Sequence, residues 1–360
     1  MRLIRESSPD LRADLISLDV FDFSSGKPGS SNQRFNSYAH LFKYDGYFNR
    51  AVDLSRNGEN RIWDVPAFVL YYGREVDRCR SVLTQLGPED VVFFFSDKEK
   101  PVEILVSLSK ELWCSRTVLV DEGIVTYKSS REWFQSILKF FIVKGLGLKY
   151  ISRSYHYGRS GLYDLSLSSL PEQSVLNGPG NFRLPSFQAG DVAGLVSNDD
   201  FVLTGRYVLY VSSALEQAIG YPPEREIAFL QTLIDALDRI GYRVVVKPHP
   251  VEPRSKFQAL GQATIIREHL LPVEIFFCDD SVILSAISSS LINASRAGVP
   301  TASLSTIMGV YGKDVDSLRK FEGITFPQDM KSLIEFVQSS QRRKPQSRQL
   351  QPAFLRRLSS

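Results

Sequence analysis

Short apolar runs alternate with segments of helical periodicity along most of the chain from residue 67 onward. Unbroken apolar runs separated by amphipathic helices are typical of parallel strands that are covered on both faces. The pattern therefore predicts an α/β fold with two Rossmann-like domains in tandem, facing each other across a cleft. The runs taken as strands are 67–72, 91–95, 117–120, 207–211, 243–246, 275–277, 282–284 and 301–304.

Amphipathic periodicity separates these runs, and one long segment lacks it. Helices are predicted at 75–86, 102–113, 130–143, 223–240, 289–297 and 327–336. Residues 152–190 are rich in Ser, Gly and Pro and are predicted to connect the two domains. The resulting division is an N-terminal domain at 1–190, a C-terminal domain at 191–338 and a tail at 339–360. The first 60 residues remain unassigned apart from a strand near 15–21.

Length and composition fit this architecture, since 360 residues are enough for two cores. The chain is 43% hydrophobic and 23% charged, with a mean hydropathy of -0.12, which excludes a disordered chain. We expect no membrane-spanning helix and no secretory signal, and hence a cytoplasmic protein. Cys79, Cys114 and Cys278 are odd in number and widely spaced, which predicts buried, reduced thiols.

Positive charge is concentrated at the C-terminal end of the chain. The net charge of +3 predicts no nucleic-acid partner. Residues 342–357 nevertheless hold six basic side chains and no acidic one. Phe354 and Leu355 interrupt these cations, so the tail is either a solvated disordered end or a segment that binds an anionic inner-membrane surface.

Polar motifs follow two of the predicted strands, where parallel sheets bind ligands. Asp121, Glu122 and Gly123 come directly after 117–120 and offer a carboxylate for general-base chemistry, although such a triplet is also a common turn. Lys247, Pro248, His249 and Pro250 close the strand 243–246. The two prolines restrict the backbone around His249, which suits an imidazole that binds or protonates a phosphate better than it suits a packed turn.

Further polar residues lie near the ends of later elements. Ser288, Ser289 and Ser290 open the helix 289–297, where they either cap the helix or contribute to an anion site. Glu274 precedes the run 275–277 and is either a ribose ligand or a surface acid. Ser212 and Ser213, which follow 207–211, are candidate supporting residues.

The order of these motifs resembles that of the bacterial sialyltransferases and polysialyltransferases of the GT-B fold. That family carries a D/E-D/E-G triplet, an HP pair and a serine pair, and the resemblance covers residues 67–304. It implies that Asp121 is the general base and that His249 contacts the donor phosphate. It also implies that Ser288 and Ser289 hold this phosphate and that Glu274 binds the cytidine ribose.

The resemblance further implies an inverting, metal-independent transfer of sialic acid from a CMP-sugar to a glycan or glycolipid. The D-x-D sequence at 314–316 is predicted as a helix start rather than a metal motif. The scattered histidines and the lack of nucleotide-binding glycine loops predict no metal and no cofactor. We expect the acceptor near Asp121 and residues 153–163. Transfer of Kdo or another nonulosonate, and a non-catalytic assembly role at a membrane surface, are the alternatives.

Overall fold

The computed structural model describes two parallel sheets with their flanking helices, together with one short strand pair. The described residues are 14–17, 50–53, 65–94, 100–120, 163–169, 180–184, 203, 206–250, 252–266, 273–278 and 280–340. The short pair joins β1 (Asp14–Ser17) to β2 (Arg50–Asp53) in parallel. Within the described part of the chain, no helix is long and apolar enough to cross a bilayer.

The first sheet has four parallel strands in sequential order. They are β3 (Val91–Phe94), β4 (Arg116–Val120), β5 (Leu165–Ser168) and β6 (Asn181–Arg183). Helices α1 (Val65–Leu86) and α2 (Lys100–Trp113) pack against each other beside this sheet. Their contact buries Leu83 and Leu108 with Leu119 of β4, which fixes the helices on one face of the sheet.

Two predictions for this first part of the chain were wrong. The run 67–72 is the first part of α1, because its periodicity continues through Gly73 into the helix without a turn. Residues 152–190 are not a plain connection, because β5 and β6 lie within them. These strands alternate leucine or phenylalanine with polar residues, and Ser166 and Ser168 are themselves buried. These strands were not predicted because serine occupies buried positions where valine or isoleucine is usual.

The second sheet has six parallel strands. In chain order they are β7 (Tyr207–Val211), β8 (Arg243–Lys247), β9 (Thr264–Ile265), β10 (Ser281–Ser285), β11 (Thr301–Ser303) and β12 (Ile324–Thr325). In space, β8 and β9 lie on one side of β7, and β10, β11 and β12 lie on the other. The direction of winding reverses between β7 and β10, which is where ligands bind in doubly wound sheets.

Helices cover the second sheet and bury both of its faces. They are α3 (Leu215–Ile219), α4 (Pro223–Asp238), α5 (Ser290–Arg296), α6 (Lys313–Leu318) and α7 (Met330–Ser339). Alternate residues of β7 enter different cores: Leu209 packs into one and Tyr210 into the other. This two-sided burial explains why the strands appear in the sequence as continuous apolar runs.

In the second domain, two features differ from the sequence predictions and one agrees with them. Residues 275–277 do not form a strand: Val273–Phe276 is a 3₁₀ helix whose apolar side chains pack into the core. The two-residue strands β9 and β12 were missed, because such short runs carry no periodicity. The acids Asp314 and Asp316 lie in the first turn of α6, which confirms the predicted helix start.

The prediction that the three cysteines are buried is correct for one of them. All three cysteines are free. Cys79 is buried in α1, Cys278 is half-buried, and Cys114 is exposed at the turn after α2. Cys114 adopts a left-handed backbone conformation with φ of 57°, so its position in the turn overrides its apolar sequence neighbours.

A buried arginine joins the two sheets. Arg296, at the end of α5, is 6% exposed. Its Nη1 donates to Ser169 Oγ at 2.8 Å, and its Nη2 donates to the Leu184 carbonyl oxygen. Ser169 follows β5 and Leu184 follows β6, so the helix that begins at the serine run is anchored at its other end to the first sheet.

Candidate active site

The strand ends of the second sheet bring several predicted site residues to one edge. His249 follows β8, Ser212 and Ser213 follow β7, and the serine run follows β10. The strands β8, β7 and β10 are adjacent and parallel, so their carboxyl ends meet at the same edge of the sheet. These side chains therefore lie along the edge that flanks the reversal in winding.

The acidic triplet lies outside the described residues. The strand β4, which precedes it, ends at Val120 and is buried along its last four residues. Asp121, Glu122 and Gly123 come next in the sequence. The predicted acceptor stretch 153–163, apart from Tyr163, and the basic tail 342–357 also lie outside the described residues.

Three hydrogen bonds link Ser213 and Ser285 to each other and to the neighbouring backbone at the reversal in winding. Ser285 Oγ donates to the Val211 carbonyl oxygen at 2.5 Å. Ser213 Oγ lies 2.8 Å from Ser285 Oγ and accepts from the Ile287 backbone N–H at 3.2 Å. Because the proton of Ser285 is used on Val211, Ser213 donates to Ser285. Ser213 thus joins the end of β7 to the loop that leads into the serine run.

The segment around His249 is held by backbone hydrogen bonds. The Ser212 N–H donates to the Lys247 carbonyl oxygen at 3.0 Å, which extends the pairing of β7 and β8 by one residue. The His249 N–H donates to Glu252 Oε2 at 2.9 Å. The Glu252 N–H donates back to the His249 carbonyl oxygen at 3.0 Å. The histidine is therefore fixed in a turn closed from both sides.

Burial and nearby charge act in opposite directions on the His249 imidazole. Burial lowers its pKa below the ordinary value, the carboxylate of Glu252 raises it, and the ammonium of Lys247 lowers it. Lys247 is 3% exposed, and its Nζ donates to the Pro248 carbonyl oxygen at 3.1 Å. Pro248 is buried, and His249 and Pro250 are half-buried, so the imidazole lies between the core and the edge of the sheet.

A buried group of charges lies directly behind this turn. Lys256 Nζ contacts Glu226 Oε2 at 2.7 Å and Glu252 Oε1 at 2.5 Å. Tyr210 Oη donates to Glu226 Oε1 at 2.6 Å, and Ser212 Oγ donates to the same oxygen at 3.4 Å. The predicted supporting residue Ser212 is thus bound to this group.

Sequence reasoning missed this buried group, although two signals were present. Glu226 lies on the apolar stripe of α4, at the spacing of Leu230, Leu233 and Leu237. A lone acid among core positions indicates a buried partner. Glu252 and Lys256 are four residues apart and lie two and six residues after the HP pair.

The serine run opens α5 in an unexpected way. Ser289 precedes the first helical residue, but its side chain forms no capping hydrogen bond. Ser288 Oγ instead accepts from the Ser290 N–H at 3.2 Å. All three serines are half-buried. Simple capping therefore does not account for the hydroxyl of Ser289.

The predicted ribose acid contacts the same helix. Glu274 lies in the 3₁₀ helix Val273–Phe276, and its Oε1 accepts from Asn293 Nδ2 at 2.8 Å. Asn293 is three residues after Ser290, so it shares a face of α5 with the serine run. Asn293 was not predicted. The structure brings Glu274 and the serine run to one short helix.

Among the described residues there is no group of three or more His, Cys, Asp and Glu side chains arranged to hold a metal ion. The acids that do cluster there, Glu226 and Glu252, contact Lys256. The described part of the site thus presents the half-buried hydroxyls of the serine run and the half-buried imidazole of His249, which are groups that can bind anions.

Solved structures with similar folds cover nearly the whole chain. The glycotransferase of kitacinnamycin matches with a TM-score of 0.51 and 10% identity, covering 97% of this chain and 93% of that chain. The S. aureus MnaA–UDP co-structure matches with a TM-score of 0.50 and 12% identity, covering 91% and 87%. At these identities the likeness shows the fold alone, and that fold is GT-B, with two Rossmann-like domains.

Sequence comparison identifies the family. None of the curated proteins matches the sequence significantly. A family model described as alpha-2,8-polysialyltransferase matches residues 75–304, which is well over half of the chain and includes every strand from β3 to β11. The predicted resemblance is thereby confirmed: the chain is a glycosyltransferase and belongs to the alpha-2,8-polysialyltransferase family.

Proposed function

We propose that the protein transfers sialic acid from CMP-sialic acid to a hydroxyl group of a glycan or glycolipid, with inversion and without a metal ion. The observation that carries this proposal is the position of His249. It is fixed between two prolines at the end of β8, one strand away from the reversal in winding between β7 and β10. A nucleotide bound at that reversal has its phosphate within reach of groups at these strand ends.

Each candidate residue has a role in this proposal. The His249 imidazole contacts the donor phosphate and stabilises the charge that develops on CMP as it leaves. Ser288 and Ser289, with Ser290, offer hydroxyls to the same phosphate, and Glu274 accepts from the ribose hydroxyls. Lys247, Pro248 and Pro250 shape the turn that presents the histidine.

Asp121 supplies the general base from the first domain. It takes the proton of the acceptor hydroxyl as the oxygen attacks the anomeric carbon from the face opposite CMP, which gives inversion. Glu122 and Gly123 support the strand end that carries it. The anomeric carbon of sialic acid ionises readily, so donors and an imidazole suffice to assist departure of the nucleotide.

A donor screen tests this proposal. Purified protein with EDTA and an acceptor glycan is supplied in turn with CMP-Neu5Ac, CMP-Kdo and UDP-sugars, and released nucleotide is measured. We expect release from CMP-Neu5Ac at an unchanged rate with EDTA. Release from CMP-Kdo alone would assign the other CMP-activated 2-keto sugar as donor. Release from UDP-sugars alone, or loss of activity with EDTA, would contradict the proposal.

We also propose that residues 342–357 hold the protein at the anionic inner face of a membrane. Six basic residues near such a surface contribute about 1 kcal/mol each, and Phe354 and Leu355 add apolar contact. Co-sedimentation with phosphatidylserine vesicles tests this, with pure phosphatidylcholine vesicles as the control. Removal of residues 341–360 should abolish sedimentation, and unchanged sedimentation of the shortened chain would contradict the proposal.

A further inference from the structure

The turn that holds His249 depends on one carboxylate. Proline has no backbone N–H, so His249 is the one residue of the three at 248–250 that has a backbone donor. That donor is used on Glu252 Oε2 at 2.9 Å. Since the reverse bond from the Glu252 N–H runs to the His249 carbonyl oxygen, the side chain and backbone of one residue close both sides of the turn.

The carboxylate of Glu252 is itself held from behind. The side chains of Glu226 and Glu252 are 0% exposed, and that of Lys256 is 5% exposed. The two carboxylates raise the pKa of Lys256 despite its burial, so it carries its proton throughout the neutral range. Tyr210 remains a neutral donor to Glu226, because burial and that carboxylate raise the pKa of its phenol. Two carboxylates thus share the ammonium of Lys256.

A buried ion group of this kind is a poor source of stability. The free energy that buried ions lose by leaving water is about as large as the free energy that they gain from their mutual attraction. Well-packed apolar side chains of similar volume stabilise a core equally well. The group does act on one neighbour: Glu252 Oε2 accepts from the His249 N–H at 2.9 Å, and the same carboxylate opposes the effects of burial and of Lys247 on the pKa of His249. The arrangement is therefore better explained by what it does to the histidine than by the stability it supplies.

We propose that Glu252 is a positioning residue for His249: it fixes the histidine backbone at the end of β8 and places a negative charge beside that backbone, while Lys256 and Glu226 hold Glu252 in place. This inference rests on the proposed function for its effect on catalysis. Its effect on the histidine does not depend on the donor sugar. An imidazolium is the form that pairs with a phosphate, and Glu252 favours that form against Lys247 and burial.

The test is Glu252→Gln in the full-length protein. Glutamine retains an oxygen that accepts from the His249 N–H but removes the charge. With selectively labelled histidine, NMR titration follows the imidazole of His249, which is assigned by its loss in His249→Ala. We expect the midpoint of the His249 titration to move to lower pH. In transfer assays, the alkaline limb of the kcat profile should move in the same direction, with kcat about tenfold lower above neutral pH and KM little changed.

Two controls separate positioning from stability. Glu335→Gln removes the acid of another i,i+4 pair with lysine, which is exposed on α7, and should change neither titration nor kcat. Leu233→Ala leaves a cavity in the buried face of α4, so it destabilises the domain but should leave the His249 midpoint in place. A folded Glu252→Gln protein with the wild-type midpoint would overturn the proposal.

A second variant covers failure of Glu252→Gln to fold. Glu252→Asp keeps the charge and shortens the side chain by one methylene, which breaks the bond to the His249 N–H. We expect a midpoint near that of the wild type with kcat at least about tenfold lower. Unchanged kcat would overturn the positioning role. If the donor screen fails but Glu252→Gln still moves the midpoint, the proposed function falls while the positioning of His249 stands.

Discussion

Replacing His249 with alanine lowers kcat for sialyl transfer by about 10²- to 10⁴-fold, the range that a positioned acid–base group supplies. The variant loses the imidazole that stabilises the leaving phosphate, while Pro248 and Pro250 still restrict the turn. Its backbone N–H can still donate to Glu252, so the fold should persist. Initial rates of CMP release, measured with saturating donor and acceptor, give the loss directly.

The same variant distinguishes an enzyme site from a structural histidine. Thermal melting of His249→Ala should stay close to the wild type, because the ring is half-buried at an edge rather than in a core. Vesicle binding through residues 342–357 should also be unchanged. As a matched surface control, Lys331→Ala on α7 should keep full activity. Transfer at the wild-type rate by a folded His249→Ala protein would remove the basis of the proposed mechanism.

Much of the second domain could be predicted because its strands are buried on both faces. β7 alternates its side chains between two cores, so every position must be apolar and the run is visible in the sequence. The apolar runs end at the carboxyl edge of the sheet, where the buried Ser212 and the half-buried His249 begin polar motifs that are visible in the sequence. The chemistry of the strand ends was therefore accessible to sequence reasoning.

The wrong predictions concern short segments whose residue types are unusual for the strand or helix that they form. The serines of β5 are buried, and the Ser166 hydroxyl donates a hydrogen bond to Asn181 Oδ1 of the next strand. A polar residue type therefore does not indicate exposure there. The apolar residues of Val273–Phe276 pack into the core from a 3₁₀ helix, so a short apolar run does not indicate a strand. In each case the segment is too short for its periodicity to define its secondary structure, which tertiary contacts determine instead.

Contacts between distant residues could not be predicted at all. Glu226 meets Lys256 across 30 positions, and Arg296 meets Leu184 across 112. No local pattern connects such pairs in a single sequence. An acid on an apolar helix stripe indicates that a partner exists, but only the folded chain identifies which lysine it is.

Replacing Lys256 with methionine should reduce the free energy of unfolding of the second domain by about 3–5 kcal/mol, the cost of removing one partner from a buried ion pair. Methionine fills similar space but leaves Glu226 and Glu252 without their shared cation, and neither carboxylate is exposed. Since the pKa of Lys256 is raised on folding, its contribution is present below the unfolded value and is lost only as pH rises through the folded one. Urea midpoints at neutral pH therefore report its full effect.

The chain contains its own control for this substitution. Lys331 and Glu335 are also an i,i+4 pair, but they are 3.9 Å apart with side chains 86% and 64% exposed. Solvent screens such a pair, so Lys331→Met should barely move the urea midpoint. Equal midpoints for the two variants would mean that water reaches the carboxylates behind His249 and relieves their charge. The negative field on the imidazole would then be screened as well, so the stability of Lys256→Met and the titration of Glu252→Gln test the same buried charge by independent measurements.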